Sequence, residues 1–266
     1  AITMACLEWL AAMPASVWQQ HAPPPWSVVL AVGGIAWMLL PQGFPARWVG
    51  GVALLPLFLV FPPARAPGTV RVAVLDVGQG LAVVIRTHSR ALLYDAGPLY
   101  SADADSGSRI VAPYLRATGV RRLDGMVVSH EDNDHAGGAA SVLAAVPVGW
   151  LASSLPPGHG LHELAPASIP CVAGQRWDWD GVRFEFIHPA PGHEGLRMKS
   201  NDRSCVLRVE AGDTRVLLTG DIEARSEREI LARAESVRAE VLIAPHHGST
   251  TSSNPQFVVA VQTEIT

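Results

Sequence analysis

Charge is spread along this chain in two regimes, and that partition limits its possible folds more than any other feature. Of 20 basic and 24 acidic residues, only Glu8, Arg47 and Arg65 fall among the first 68 positions. Ser27–Leu40 (SVVLAVGGIAWMLL) and Trp48–Phe61 (WVGGVALLPLFLVF) are apolar on every side, whereas a helix on an aqueous surface shows a polar face. Trp26, Trp37, Trp48 and Phe61 suit the interfacial level of a bilayer. Each stretch makes roughly 21 Å of helix, short of the ~30 Å hydrocarbon core, and spans it only with its uncharged flanks. Residues 1–68 are therefore expected to be an apolar, membrane-associated helical segment, with a pair of buried helices as the alternative. A secretory leader fits poorly, because no Lys or Arg precedes the first apolar run. The chain opens without Met inside an apolar stretch, as a fragment of a larger membrane region would. Pro62-Pro63 and Pro67-Gly68 mark a linker into the second, charged regime.

Residues 69–266 hold the charge and the chemistry. The whole chain is 48% hydrophobic and 17% charged, which excludes disorder. Its net charge of −4 comes with no basic stripe, so a general DNA-coating protein is excluded and any nucleic-acid contact is local or metal-mediated. Cys6, Cys171 and Cys205 are odd in number and far apart, which excludes a disulfide framework and a thiolate zinc cluster. All three are expected as small buried apolar residues, with one isolated disulfide left open.

From Val70 the pattern changes to short β-branched runs between glycine turns. Val70–Asp76 and Leu81–Thr87 read as a hairpin, Ala91–Asp95 as a third strand, and Ile110–Thr118 as a helix stopped by Gly119. Met126–Ser129 is a buried strand leading into His130, and Ala136–Val146 is helical. Residues 153–170 read as a loop, Val182–Ile187 as a half-buried strand, and 189–200 as another loop. Cys205–Glu210 and Thr214–Thr219 make a second hairpin, Ile222–Val237 a charged helix, and Val241–Ala244 a buried strand. Strands followed by helices, twice over, predict an α/β fold of two sheets covered by helices.

One stretch carries the most chemistry. His130, Asp132, Asp134 and His135 offer four donors within six residues, on a turn between a strand and a small-residue helix. Such a cluster serves two metal ions a few ångströms apart, and Gly137 and Gly138 let the backbone pass close to them. Asp221 ends the run Leu217-Leu218-Thr219-Gly220 with a carboxylate placed to bridge two ions. A lone Asp there is also a natural helix N-cap. His246-His247-Gly248-Ser249 again follows a buried strand.

The order HxDxDH (His130 to His135), LLTGD (to Asp221) and HHGS (His246 to Ser249) resembles the metallo-β-lactamase fold. More specifically, the DVGQG of Asp76–Gly80, the LLYDAG of Leu92–Gly97 and the SHEDNDHAGG stretch resemble the ComEC family of DNA-uptake competence channels. The resemblance covers about residues 69–260, and the apolar segment looks like the end of that family's membrane competence region. It implies an αββα sandwich with the site at one sheet edge and a role in internalising transforming DNA. Asp132 stands where a second histidine is usual, and Asn201-Asp202-Arg203-Ser204 occupies the third-ligand position; His188 and His193 are expected as loop histidines. The chain is also expected to stop short of the terminal strand and helix of its relatives.

The carboxylate-rich set favours two divalent ions, Mn²⁺ or Zn²⁺. Expected ligands are His130, Asp132, Asp134, His135, Asp221, His246 and His247, with Asp134 and Asp221 closest to catalysis. Asp95 braces the ligand turn rather than ligating, and Asp76, Asn201, Ser204 and Ser249 stand behind the ligands. His247 shares ligation with His246 or holds a neighbouring proton. Arg197, Lys199 and Arg203 form either a phosphate-contacting loop or, by the small value of exposed charges, a solvated one. The function expected is a DNA-uptake membrane protein whose hydrolase domain cleaves phosphodiester bonds of incoming or non-transported DNA. A non-catalytic DNA guide and a small-ester or lactone hydrolase are the alternatives. Its partners would be DNA, the lipid bilayer, other competence proteins and the rest of its own membrane channel region. It would sit in the inner membrane as a multi-pass protein, with the hydrolase domain on the outer, periplasmic side.

Overall fold

The structure is a computed structural model, and it describes residues 2–11, 13, 20–61, 66–193, 198–233 and 236–263. Arg65, Arg197 and the Pro62-Pro63 linker lie outside the described residues. Two compact units make up the chain: Ala1–Pro63 with Tyr114–Val120, and Ala64–Pro113 with Arg121–Thr266.

The first unit contains α1 (Ile2–Ala11), α2 (Pro25–Met38), α3 (Val49–Val52) and α4 (Leu55–Leu59). Among the described residues no helix is long and apolar enough to cross a membrane, so the expected spanning segment finds no support there. The reason is local. Pro25 starts α2, which ends after 14 residues. Pro56 lacks the N–H that would continue α3, so the second apolar stretch divides into two short helices. The polarity of α2 is inverted: Ser27, Ala31 and Gly34 are buried, while Val29, Val32 and Ile35 are 73%, 62% and 47% exposed.

The larger unit opens with β1 (Arg71–Val74), β2 (Val83–Arg86) and β3 (Ala91–Tyr94), an antiparallel meander. The ribbon β4 (Leu99–Ser101) and β5 (Ala104–Asp105) follows, and a π-helical turn at Gly107–Val111 runs into α5 (Ala112–Ala117), whose residues from Tyr114 onward belong to the first unit. Then come β6 (Gly125–Val128), α6 (Asn133–Ala136), α7 (Ala139–Ala145), β7 (Leu151–Ser153), α8 (Leu161–Leu164) and β8 (Ser168–Pro170). The first sheet has the order β1-β2-β3-β6-β7-β8, parallel from β3 onward. The second is built from β9 (Arg176–Trp179), β10 (Val182–His188), β11 (Val206–Ala211), β12 (Thr214–Leu218) and, after α9 (Ala224–Ala232), β13 (Val241–Ile243). Its order is β13-β12-β11-β10-β9, with β12 and β13 parallel; α10 (Pro255–Val261) comes last.

Period-two alternation decides which face each strand buries. Val83, Ile85, Leu92 and Tyr94 of the first sheet share one buried cluster with Phe184, Phe186, Leu207 and Leu218 of the second, so the sheets pack face to face. The other face of the second sheet, with Val206, Leu217 and Leu242, is covered by Ile230 of α9 and Phe257 and Val261 of α10.

Several expectations need correction. The 153–170 loop contains the end of β7, all of α8 and β8, and β9 carries no clear strand signal because its residues alternate only as half-buried and exposed. The helix expected over 136–146 is broken at Gly137-Gly138, and the one over 222–237 is helical only from 224 to 232. Cysteine is the largest surprise: Cys6 is exposed, and Cys171 and Cys205 form a disulfide with Cα atoms 5.9 Å apart. The pair joins the end of β8 to the start of β11, one strand from each sheet. Beside it the Tyr94 hydroxyl donates to the Cys205 carbonyl at 2.5 Å, and the Cys205 amide donates to the Ser129 carbonyl at 3.0 Å. The sheets are thus pinned together where the parallel pairs β3/β6 and β12/β13 end, the edge at which α/β sheets place their sites.

Candidate metal centre

Strand ends bring the donors together. β6 runs out into Ser129 and His130, and the chain turns at Asp132, whose carbonyl accepts the His135 and Ala136 amides as α6 begins. Asp221 follows β12 through Thr219-Gly220, and His246-His247 follow β13 through Pro245. Of the seven described non-glycine residues with left-handed backbones, three are at the site: Asp95, His246 and His247, with φ of 56°, 49° and 52°. Strain of this kind gathers where the surrounding fold imposes a side-chain position.

Four side chains, Asp134, His135, Asp221 and His247, converge with one donor atom each inside a 4.8 Å span. His135 Nε2 lies 3.0 Å from Asp221 Oδ1, 3.2 Å from His247 Nε2 and 3.9 Å from Asp134 Oδ2. His247 Nε2 lies 3.2 Å from Asp134 Oδ2 and 3.6 Å from Asp221 Oδ2. Ligands at 2.0–2.2 Å from a tetrahedral ion stand about 3.3–3.6 Å apart, so these separations fit one ion. Two imidazole nitrogens and two carboxylate oxygens make a donor set that suits a divalent ion.

Electrostatics agree with the geometry. Burial pulls the His135 imidazole down, but Asp95 on one side and Asp221 on the other raise it to about 10. The hydrogen bond from His247 lowers Asp134 to about 2, and Asp134 in turn raises His247. Burial pushes Asp221 up, yet the His135 hydrogen bond and charge bring it below the usual carboxylate range. A point that forces a buried imidazole to remain charged is one where a cation is favourable.

The remaining expected residues fall into distinct positions. Asp95 Oδ2 contacts His135 Nδ1 at 2.8 Å and accepts from Ser129 Oγ at 2.8 Å, while its Oδ1 accepts from the Ser129 amide at 2.6 Å. It touches the ring from behind and leaves Nε2 facing the group. His130 is buried, with Nδ1 2.9 Å from Ser129 Oγ; its Nε2 has no hydrogen-bond partner, and Asp132 Oδ2 stands 3.5 Å away. These two form a separate pair beside the four-donor group. Burial and the charge of His135 lower His130, keeping it neutral and able to ligate. His246 is set back, its Nε2 3.8 Å from Asp221 Oδ2 and 3.4 Å from Asn201 Nδ2.

Ser204 Oγ accepts the Asp221 amide at 3.1 Å and lies 3.4 Å from His130 Nδ1, so the 201–204 turn touches both halves of the site. Ser249 is one step removed: it meets Thr251 Oγ1 at 3.2 Å, and Thr251 Oγ1 meets His246 Nδ1 at 3.0 Å. Asp76 is exposed, and its hydrogen bond to the Gly78 amide stays within its own turn. Lys199 is drawn to Glu223 at 2.9 Å and Arg203 to Glu131 at 3.2 Å.

Sequence reading missed Thr251, which nothing in the HHGS spacing marks, and misassigned His188. That residue is not a loop histidine: it ends β10, is fully buried, and contacts the Asp202 carbonyl through Nε2 at 2.8 Å. Gly137 and Gly138, expected to let the backbone pass close to the ions, lie against other backbone. A Cβ on Gly137 would collide with the Leu99 amide and one on Gly138 with the Ala96 carbonyl, so they admit neighbouring backbone.

Comparison with known proteins places these features in a family. A profile described as the metallo-beta-lactamase superfamily matches residues 75–262. "Competence protein ComA" of Neisseria gonorrhoeae is 40% identical over 265 residues, covering 98% of this chain and 36% of its own length. "Recombination protein 2" of Haemophilus influenzae is 35% identical over 215 residues, covering 81% of this chain and 26% of its own. The chain thus spans about a third or less of the curated relatives it matches. A variant of the β-hydroxylase CmlA, a protein of Streptomyces venezuelae, aligns with 90% of this chain and 50% of its own, at 14% identity and a TM-score of 0.50, a likeness of fold.

Proposed function

This chain belongs to the metallo-β-lactamase superfamily, whose members are usually hydrolases, and from that membership we propose that its larger unit is a metal-dependent phosphodiesterase acting on DNA during uptake. The observation that carries the proposal is the four-donor group of Asp134, His135, Asp221 and His247. A divalent ion held there supplies water of lowered pKa and neutralises charge on a phosphoryl group. The chain's own residues arrange the rest. Asp95 holds the proton on His135 Nδ1, so that Nε2 presents its lone pair. Ser204 fixes the backbone of Asp221, and His130 and Asp132 offer a further nitrogen and oxygen for a second ion.

The competence and recombination names of two relatives support DNA as the polymer and the DNA-uptake machinery as the setting. The Cys171–Cys205 disulfide supports placement on an oxidising, extracytoplasmic side. The inverted polarity of α2, small residues inward and large apolar ones outward, supports lipid or the remainder of a longer channel as the neighbour of the first unit. A non-catalytic guide is the second reading, favoured by His130 and Asp132 standing as a pair outside the four-donor group.

The test uses the full chain with Mn²⁺ or Zn²⁺, end-labelled single- and double-stranded DNA, and Asp134→Ala beside the native protein. Cleavage at one to two metal equivalents, lost in the variant with salt-sensitive DNA binding retained, is expected. Protein that takes up no metal from excess Mn²⁺ or Zn²⁺ and binds DNA without cutting it would favour the guide. Equal cleavage by both proteins would sink the proposal.

A further inference from the structure

Helix α9 buries two adjacent polar side chains, Ser226 and Glu227, neither of which belongs to the four-donor group. Each ties down one side of the candidate metal centre. The Ser226 hydroxyl donates to Asp202, lying 3.1 Å from both its carbonyl oxygen and its Oδ1. Asp202 belongs to the 201–204 turn, whose Ser204 holds the Asp221 amide. Glu227 reaches the other side. Its Oε1 accepts the Ser253 amide at 2.6 Å, and its Oε2 accepts the Asn254 amide at 2.8 Å.

Those two amides close the segment that carries His246 and His247. Both histidines hold left-handed backbones, a conformation that persists only where surrounding contacts impose it. The contacts run across the segment. The Ser252 hydroxyl lies 2.8 Å from the Pro245 carbonyl and 3.0 Å from the Ser249 carbonyl, and the Ala224 amide donates to the Thr251 carbonyl at 3.0 Å. Ser253, next in the chain, is itself left-handed with φ of 58°. Its amide and that of Asn254 are neighbouring donors that need two acceptors. A carboxylate offers both. A side-chain amide of the same shape offers one, and turns its own NH₂ against the other N–H.

We propose that Glu227 is a positioning residue that keeps His247 in the four-donor group. This rests on the metal centre of the phosphodiesterase reading and on none of its DNA chemistry. Glu227 acts through the backbone. It fixes residues 253 and 254, Ser252 carries the constraint to the carbonyls of Pro245 and Ser249, and His247 lies between those two in the chain. Its Nε2 is thereby held 3.2 Å from Asp134 Oδ2. With Ser226 on the opposite turn, one helix sets the spacing of Asp221 and His247, whose donor atoms stand 3.6 Å apart.

The test is a double-variant cycle on the full chain without DNA, read as Zn²⁺ and Mn²⁺ affinity by competition with a chelator. The proteins are the native chain, Glu227→Gln, His247→Ala and the double variant. A residue that acts through His247 loses its effect once that imidazole is gone. Glu227→Gln should weaken binding about tenfold in the native background. In the His247→Ala background it should change affinity less than about twofold. Nitrogen NMR of metal-free protein, in which Glu227→Gln should shift the His247 imidazole signals, keeps the test decisive if His247→Ala binds no ion. Glu227→Asp, which keeps the charge on a shorter stem, should fall between native and Glu227→Gln, and replaces the latter if it does not fold. Equal losses in both backgrounds, native affinity in Glu227→Gln, or unmoved His247 signals overturn the positioning role. A native chain that takes up neither ion overturns it together with the metal centre. The expected cycle in a protein that cuts no DNA overturns the phosphodiesterase reading alone.

Discussion

The His135 ring shows how much one side chain depends on the group behind it. Its Nε2 faces three candidate ligands only because Asp95, itself in a left-handed backbone, contacts Nδ1 at 2.8 Å. Asp95→Asn would keep the shape and let the amide offer Nδ1 the wrong group, freeing the other tautomer. Metal affinity is expected to fall 10–100-fold, read by competition with a chelator, while the fold is retained. His188 offers a contrasting case. Burial lowers its imidazole to about 4 from an ordinary 6.5, with the charges of Arg233 and His193 acting the same way and the Nε2 contact to the Asp202 carbonyl opposing them. The unfolded chain therefore binds this proton between pH 6.5 and 4 while the folded chain does not. Stability is full above that window and falls as pH drops through it, by about 3 kcal/mol in all. Urea midpoints at pH 7 and pH 4.5 should differ less in His188→Gln than in the native protein; an equal difference would assign the acid sensitivity elsewhere.

Among the elements, the strand-to-turn junctions do the positioning. Gly220 lies between β12 and Asp221 with φ of +53°, and a Cβ there would stand 2.9 Å from Ser204 Cβ and 3.0 Å from Ser129 Cβ. Gly220→Ala meets both the backbone penalty and the crowding, so a loss of roughly 1–3 kcal/mol is expected. Thermal unfolding and bound-metal content should fall together; a variant with native metal content would show that the junction tolerates the shift. The strands that flank these junctions were readable because β2, β3, β6, β12 and β13 are β-branched or leucine runs ended by glycine, proline or a polar cluster. β8 and β9 were not, since at the sheet margins Ser168–Pro170 and Arg176–Trp179 are exposed or alternate half-buried with exposed. Edge strands need no strong apolar signal. Helix length in the apolar region was not legible for the opposite reason: composition marked the region, but Pro56 decided where helix could continue.

For the whole molecule, the disulfide matters because Cys171 and Cys205 belong to different sheets and meet at the site edge. Closing a sequence separation of 34 residues restricts the unfolded chain, a contribution of about 3–4 kcal/mol in the chain-entropy account. Reduction, or the double variant Cys171→Ser with Cys205→Ser, should lower the urea midpoint accordingly. It should also weaken metal binding, because the Cys205 amide and the Tyr94 hydroxyl tie this corner to Ser129 and β3. A midpoint unmoved by reductant would leave face-to-face packing of Phe184, Phe186 and Leu207 as sufficient by itself.

Local patterns are written in the residues themselves: the charge partition, the strand runs, and the order of His130–His135, Asp221 and His246–His247 behind strand ends. Period-two burial and ligand-rich turns involve neighbours in the chain, so they can be read without coordinates. Tertiary packing decided which donors lie close together, with His247 in the four-donor group and His246 behind it, and placed Asp95 against His135 across 40 positions. It also settled that two cysteines meet. These outcomes depend on how two sheets slide and face one another, a property of long-range packing that local spacing cannot encode.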